Sequence, residues 1–360
     1  MKNPRIVVNL EKLEENIAFI VSKLVAAGIS ITAVTKVFEA HPEMIAIYDK
    51  FPEIEYFGDS RIENLISYQA SPKKKILIRI PMQSEAEEIV RYADISFNSE
   101  LETVKCLNQA AKEQNKIHEI VLMVDLGDLR EGYFDQQELL ADTAEIMKLS
   151  NIRIRGLSVN LTCYGAIIPN HQNLGQLVEL KKRLDHEFGL ELEMVSGGNS
   201  SSLYLLDSST EYLPEGINNL RIGETFVLGR ETAYGESYPQ MHQDVFTLKT
   251  ELVELKMKPS YPIGEIGVDA FGNRPEYVDK GNMIRGVVAV GRQDVNPDDI
   301  TPLDGRIEIL GASSDHLILD MTNTEDDYQV GNEVEFSLSY GSLLNSFTSK
   351  YVKKEFDPSL

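Results

Sequence analysis

Short apolar runs rich in valine and isoleucine recur along the first two thirds of the chain, and most are followed by a longer charged stretch whose apolar positions fall at helical spacing. The runs lie at 31–36, 54–58, 76–80, 93–98, 119–125, 154–160, 191–196 and 220–228, which predicts eight strands. Helices are predicted over 85–92, 100–114, 136–149 and 171–188, with an opening helix at 10–27. In that opening helix Leu10, Leu13, Ile17, Ile20 and Leu24 form one apolar face, Asn9 is a candidate N-cap and Gly28 a candidate stop. Eight strands alternating with helices predict an α/β architecture, a closed (β/α)8 barrel of the TIM type, in preference to an open doubly wound sheet. No GxGxxG follows any of the strands.

After Gly235 the pattern changes to alternating and β-branched segments at 245–255, 283–290, 306–309, 316–321 and 333–340, separated by Gly, Pro and Asp turns. Period-two alternation between turn residues predicts antiparallel strands. The expected organisation is therefore a barrel over 1–235 and a C-terminal all-β domain over 236–360.

Composition narrows the function classes. Lys and Arg total 35 against 57 Asp and Glu, a net charge of −22, so the surface mostly repels nucleic acid and anionic membranes. No run reaches the roughly 18 apolar residues of a membrane span. The two cysteines, Cys106 and Cys163, have neither disulfide-framework nor zinc-ligand spacing, and with the charged N-terminal stretch they predict a cytoplasmic location. The histidines form no ligand pattern, and no metal is expected.

In a (β/α)8 barrel the functional groups collect at the C-terminal ends of the strands. The first strand ends in Lys36, flanked by Val34, Val37 and Phe38. A desolvated lysine forms a Schiff base with a carbonyl group, while a lysine at a barrel rim also snorkels outward or pairs with a carboxylate. Other strand ends supply Asp59-Ser60-Arg61, Arg79, Asn98, Asp125 and Asn160. The seventh strand runs into Ser196-Gly197-Gly198-Asn199-Ser200-Ser201-Ser202 and the eighth carries Arg221-Ile222-Gly223. Glycine turns opening onto helix N-termini are suited to phosphate. A phosphate site across the barrel from a reactive lysine points to pyridoxal 5'-phosphate.

Three motifs carry a resemblance: Ala33-Val34-Thr35-Lys36-Val37-Phe38, Phe57-Gly58-Asp59-Ser60-Arg61-Ile62-Glu63-Asn64 and Gly311-Ala312-Ser313-Ser314-Asp315-His316. With them the chain resembles, over nearly its whole length, the fold-type III pyridoxal-phosphate racemases of the alanine racemase family, and is most similar to their ornithine racemase-like branch. The resemblance implies an isomerase that interconverts the L and D forms of ornithine, with lysine as a second substrate, by proton transfer between two bases. It makes Lys36 the cofactor-bearing lysine and one base. It assigns Asn199, Ser200, Gly223 and Tyr340 to the phosphate, Arg221 to the pyridine nitrogen, Asn160 to the cofactor ring, and Arg130 and Ser314 to the substrate.

The family's opposite-face tyrosine has no counterpart near Glu265, and His316, with Asp315, is the candidate for that second base. Met123 stands where many members have a carbamylated lysine. Asp315, Glu265 and Asp269 are candidates for the distal ammonium of a dibasic substrate, and Cys163 and Tyr164 are weaker candidates just past the sixth strand. The resemblance also implies a homodimer in which the β domain of one subunit completes the other's site. The alternatives are an alanine or broad-specificity racemase, a D-amino-acid aldolase of the same fold, and a non-catalytic pyridoxal-phosphate carrier.

Overall fold

The computed structural model describes residues 2–268, 271–272, 274 and 276–357, so Asp269 lies outside the described residues. The chain divides into two compact units, Lys12–Gln243 and the pair of segments Met1–Glu11 and Asp244–Leu360. A first strand, β1 (Arg5–Asn9), runs directly into α1 (Leu10–Ala26). Leu13, Ile17, Ile20 and Leu24 of α1 are fully buried, at about 2 kcal/mol each for the area removed from water.

The first half of the barrel consists of β2 (Ser30–Val34), α2 (Pro42–Asp49), β3 (Ile54–Asp59), α3 (Ile62–Ser67), β4 (Lys74–Leu77), α4 (Ala86–Tyr92) and β5 (Ile95–Asn98). The second half consists of α5 (Leu101–Glu113), β6 (His118–Val124), α6 (Gln136–Ile146), β7 (Ile152–Val159), α7 (His171–Phe188), β8 (Met194–Ser196), β9 (Asn219–Ile222) and α8 (Glu224–Leu228). Strands β2 to β9 form a closed parallel barrel, with β9 returning to pair with β2 from Ser30↔Asn219 to Ala33↔Ile222. The eight strands read from the hydrophobic pattern are these eight. Alternate side chains separate two cores. Tyr56, Ile76, Ile95, Phe97, Val121, Met123 and Met194 fill a core of their own, while Ile120, Leu122, Leu157 and Val195 pack with Leu139, Leu174, Leu177 and Leu184 of the helices.

Three differences from the hydrophobic pattern bear on the barrel's C-terminal rim and its end. The run 220–228 is β9 followed by α8, because Gly223 ends the strand and Glu224–Leu228 turns into helix. Lys36 is past the end of β2, in a 3-10 turn spanning Lys36–Phe38. The barrel unit continues beyond 235: the Glu231 carboxylate accepts from the amides of Ala233, Tyr234 and Glu236, and Asn16 of α1 accepts from His242 N at 2.7 Å.

The second unit is a sheet with the order β12-β15-β10-β11-β14-β13, built from β10 (Phe246–Pro259), β11 (Asn282–Val288), β12 (Ile300–Pro302), β13 (Glu308–Ala312), β14 (Leu317–Asp320) and β15 (Glu333–Leu338). The run 333–340 is shorter as a strand, since Tyr340 opens α9 (Tyr340–Thr348). Strand β1 joins this unit, antiparallel to β10 and parallel to β16 (Lys353–Asp357). Arg5 secures it through ion pairs to Glu333 and Glu355. The apolar run Ile6-Val7-Val8 is only three residues long and leads straight into the opening helix, so the sequence pattern does not set it apart as a strand. Among the described residues, no helix is long and apolar enough to cross a membrane.

Two features of the barrel core are open to measurement. Gly156 of β7 packs on β8 so closely that a Cβ would fall on the Met194 carbonyl oxygen and 2.7 Å from its carbon, so Gly156→Ala should destabilise the chain by at least about 3 kcal/mol in chemical denaturation. His118 is buried, with Nε2 2.8 Å from Ser96 Oγ, and burial, aided by Lys116, lowers its pKa to about 4. The folded state then binds this proton less tightly than the unfolded state. Stability attributable to His118 is therefore full above the unfolded value and is lost as pH falls from about 6.5 towards about 4, a change on the order of 3 kcal/mol. His118→Gln should flatten that part of the denaturation-versus-pH curve.

Candidate active site

The C-terminal strand ends of the barrel bring most of the expected residues together. Arg221 of β9 is buried, and its guanidinium is held by acceptors from neighbouring elements. Nη1 donates to Ser158 Oγ at 2.5 Å and Ser196 Oγ at 2.9 Å, and Nη2 donates to the Val159 carbonyl at 2.9 Å. The ring of Phe97 lies 5.2 Å from the guanidinium carbon. Burial pushes the Arg221 pKa down to about 10. It remains a cation at neutral pH, fixed in place by three oxygens rather than by a carboxylate.

A polar chain runs outward from it. The Asn160 side-chain amide, just past β7, lies 3.4 Å from Arg221 Nη2 and 3.0 Å from Asn199 Nδ2, and the Arg130 guanidinium packs against it. Asn199 also donates to the Leu161 carbonyl at 2.9 Å, and its Oδ1 accepts from Ser201 N at 2.9 Å, capping the 3-10 turn Ser200–Leu206. Ser200 Oγ is 3.4 Å from both Gly223 N and Thr225 N, at the start of α8. Ser201 Oγ and Thr225 Oγ1 are buried and have no hydrogen-bond partner. Backbone amides, a serine hydroxyl and two unsatisfied hydroxyls, from the turn after β8 and the start of α8, are a donor set suited to phosphate oxygens. A Cβ at Gly223 would come within 3.1 Å of Val34 Cβ, so glycine is what lets this turn pack against β2.

Lys36 leaves the end of β2 half-buried, two residues beyond Val34. Arg130 is carried by a loop whose form comes from two aspartates. Asp125 Oδ1 accepts from Gly127 N at 2.8 Å and Leu129 N at 3.1 Å, and the buried Asp128 accepts from Tyr164 N at 2.9 Å and Ile167 N at 3.2 Å in the loop after β7. Glu131 clasps the Arg130 guanidinium through both its oxygens. A cavity of about 340 Å³ beside this pair is lined by Ser99, Glu100, Tyr133 and Glu138 as well. Cys163 is exposed, with Sγ 3.3 Å from Asn199 Nδ2, and Tyr164 is exposed too, so neither is a buried packing residue.

Ser314, Asp315, His316 and Tyr340 belong to the other unit, and the first three form their own cluster there. Ser314, Asp315 and His316 make the exposed turn between β13 and β14. Ser314 Oγ donates to Asp315 at 2.6 Å, Gln293 donates to the other Asp315 oxygen at 2.8 Å, and His316 N donates to Ser313 Oγ at 3.1 Å. Tyr340 is partly buried at the first position of α9. Glu131, Asp128 and Ser158 were not singled out from the sequence as site residues, and Ser196 only as the start of the glycine-serine stretch. Ser158 and Ser196 are marked only by being polar residues inside otherwise apolar strand runs.

Comparison with known proteins agrees with this geometry. Residues 8–229 match the family model described as "Alanine racemase, N-terminal domain". The chain is 52% identical to the ornithine racemase of Acetoanaerobium sticklandii over 352 residues, 98% of this chain and 99% of that protein. It is 36% identical to the lysine racemase of Thermotoga maritima over 362 aligned residues, 100% of each chain. The crystal structure of alanine racemase from Bartonella henselae with covalently bound pyridoxal phosphate shares the fold, with a TM-score of 0.74 at 16% identity, covering 99% of this chain and 100% of that one. From the barrel to the final strand the chain is thus built as an alanine racemase-like protein, and the family model together with the two full-length relatives makes it a member of the alanine racemase family and an isomerase.

Proposed function

We propose that this chain is a pyridoxal-phosphate-dependent ornithine racemase with lysine as a second substrate. The observation that carries the reading is the 52% identity, across 98% of this chain, to a protein named ornithine racemase. The cavity beside Arg130 supports a dibasic substrate, since Glu100 and Glu138 line it and carboxylates are complementary to a side-chain ammonium.

The donor set at the end of the barrel fits the cofactor. Lys36 would carry it, Asn199, Ser200, the Gly223 amide and Tyr340 would hold its phosphate, Asn160 would lie against its ring, and Arg221 would meet its ring nitrogen. When bound, pyridoxal phosphate supplies an electron sink that acidifies the substrate's α-hydrogen. The Arg221 guanidinium, already donating to Ser158, Ser196 and Val159, keeps a fixed positive charge where it would meet the ring nitrogen. A guanidinium does not readily give up its proton, which favours return of a proton to the α-carbon over side reactions.

Arg130 holds the substrate carboxylate, with Glu131 fixing the direction of its guanidinium. The Lys36 amine moves a proton at the α-carbon on one face. On the other face that role falls to His316, oriented with Asp315 and Ser314 in the β13–β14 turn, contributed by the partner subunit of a homodimer. An imidazole is suited to both taking and returning the proton near neutral pH. A cytoplasmic setting goes with this reading, both cysteines being free thiols.

In heavy water with pyridoxal phosphate, proton NMR with chiral analysis is expected to show α-hydrogen exchange and D-enantiomer formation fastest with L-ornithine, slower with L-lysine and slowest with L-alanine. Lys36→Ala should abolish both signals, and His316→Asn should slow both directions. Intact racemisation in His316→Asn rejects the base role of His316. Exchange with L-alanine as fast as with L-ornithine favours the broad-specificity reading. Cleavage products point to an aldolase, and a loaded protein without exchange points to a carrier. Glu131→Gln is expected to raise KM for ornithine by about tenfold with a smaller change in kcat, because it loosens the carboxylate anchor without removing it. An unchanged KM shows that Arg130 does not need its partner.

A further inference from the structure

The residue before Lys36 is tied to a buried carboxylate whose role in shaping a turn accounts for only one of its two oxygens. Asp59, at the end of β3, is fully buried, and its two oxygens serve different segments. Oδ1 accepts from Arg61 N at 3.0 Å and Asn64 Nδ2 at 3.1 Å, shaping the turn into α3. Oδ2 reaches across to the neighbouring strand end and accepts from Thr35 Oγ1 at 2.6 Å. Thr35 is fully buried too, and its hydroxyl lies 3.3 Å from Tyr68 Oη.

Thr35 is also the N-cap of the 3-10 turn that begins with Lys36, yet its side chain does not cap that turn. A threonine at such a position ordinarily turns its oxygen onto its own helix. Here the hydroxyl is directed at Asp59 instead, while Thr35 N donates to the Gly58 carbonyl at 3.0 Å. The turn that follows is tight. Glu39 N donates to the Lys36 carbonyl and Ala40 N to the Thr35 carbonyl, each at 3.2 Å, with Glu39 and Ala40 both left-handed at φ 51°. Left-handed backbone at two successive non-glycine residues persists only where the surroundings hold it.

Shaping the α3 turn requires one acceptor oxygen. Burying a whole carboxylate is expensive, and burial does push the Asp59 carboxyl above the usual carboxylate range against the pull of its donors. The second oxygen accepts from the hydroxyl of Thr35, the residue immediately before Lys36.

We propose that Asp59 is a positioning residue for Lys36, acting through the Thr35 hydroxyl, which it locks so that the lysine leaves the strand end in one direction. The proposal rests on the reading that Lys36 carries the cofactor and moves the α-proton. It is specific to the Asp59–Thr35 contact, since the Arg61 and Asn64 contacts of the same carboxylate remain when Thr35 is changed.

The experiment compares Thr35→Val, Thr35→Ser, Asp59→Asn and the double variant Thr35→Val/Asp59→Asn in the full-length chain. Two quantities besides stability are read. One is the rate at which apoprotein captures pyridoxal phosphate at Lys36, followed by absorbance and by borohydride trapping with peptide mass mapping. The other is kcat and KM measured separately. Thr35→Val is expected to slow capture and lower kcat by about tenfold each, the scale of a small misplacement of a reacting group, with KM within about twofold. Thr35→Ser should restore both, and the double variant should be no worse than the more severe single one, because both changes break one contact.

Thr35→Val with unchanged capture rate and kcat overturns the proposal whatever its melting temperature, and leaves Asp59 as a loop-shaping residue only. If Asp59→Asn does not fold, Thr35→Val and its serine rescue decide alone. Failure of the underlying reading looks different, for then Lys36→Ala still captures cofactor and still racemises.

Discussion

A cation without a carboxylate partner, buried at the barrel's last strand, organises this molecule. The Arg221 guanidinium lies out of water, and stripping a charge of its hydration is tolerable only where oriented dipoles replace it. Those dipoles come from Ser158 and the Val159 carbonyl on β7 and from Ser196 on β8, with the face of Phe97 close by. Each acceptor must arrive at the right height in its strand. The register that pairs Ser158 with Ser196, and Ser196 with Asn219 two residues before Arg221, is thus coupled to the chemistry of the site. Closure of the barrel and placement of the cation are one requirement.

Around that centre the polar groups divide into pinned ones and ones left for a ligand. Asn199 spends its side chain on the Leu161 carbonyl and the Ser201 amide, and Asp128 ties the Arg130 loop to the loop beyond β7. These contacts hold flexible loops to a rigid sheet, which is how barrels place functional groups with sub-ångström tolerance. Ser201 Oγ and Thr225 Oγ1 are buried hydroxyls without a partner. Ser201 follows β8 and Thr225 follows β9, so both lie at the last two strand ends of the barrel, beside Ser200 and Gly223.

The acidic surface and the local charge pattern act on different scales. A net charge of −22 draws small cations towards the protein as a whole. Within the barrel, Arg221 and Arg130 are local positive groups set against that field, and Glu131 keeps Arg130 from swinging free.

Much of this was legible in the linear order of residues. Period-two and helical spacing come from local backbone geometry, so eight barrel strands, the opening helix and the β-rich second half could be read without long-range information. Lys36, Asn160, Asn199, Ser200, Arg221 and Gly223 could be placed at the C-terminal rim of the barrel from sequence, because the strand ends were visible. Strand β1 was not recognised, since its partners β10 and β16 are hundreds of residues away and its place depends on pairing rather than pattern. The switch from β9 to α8 at Gly223 escaped notice because an apolar run looks the same on a buried strand and a buried helix. Glu131's grip on Arg130, the three oxygens around Arg221 and the hold of Asp59 on Thr35 were decided only by the tertiary structure. Hydrogen-bond partners are chosen by which atoms the closed barrel brings within 3 Å or so of each other. That proximity is a property of the folded sheet and is not written in any local stretch of the chain.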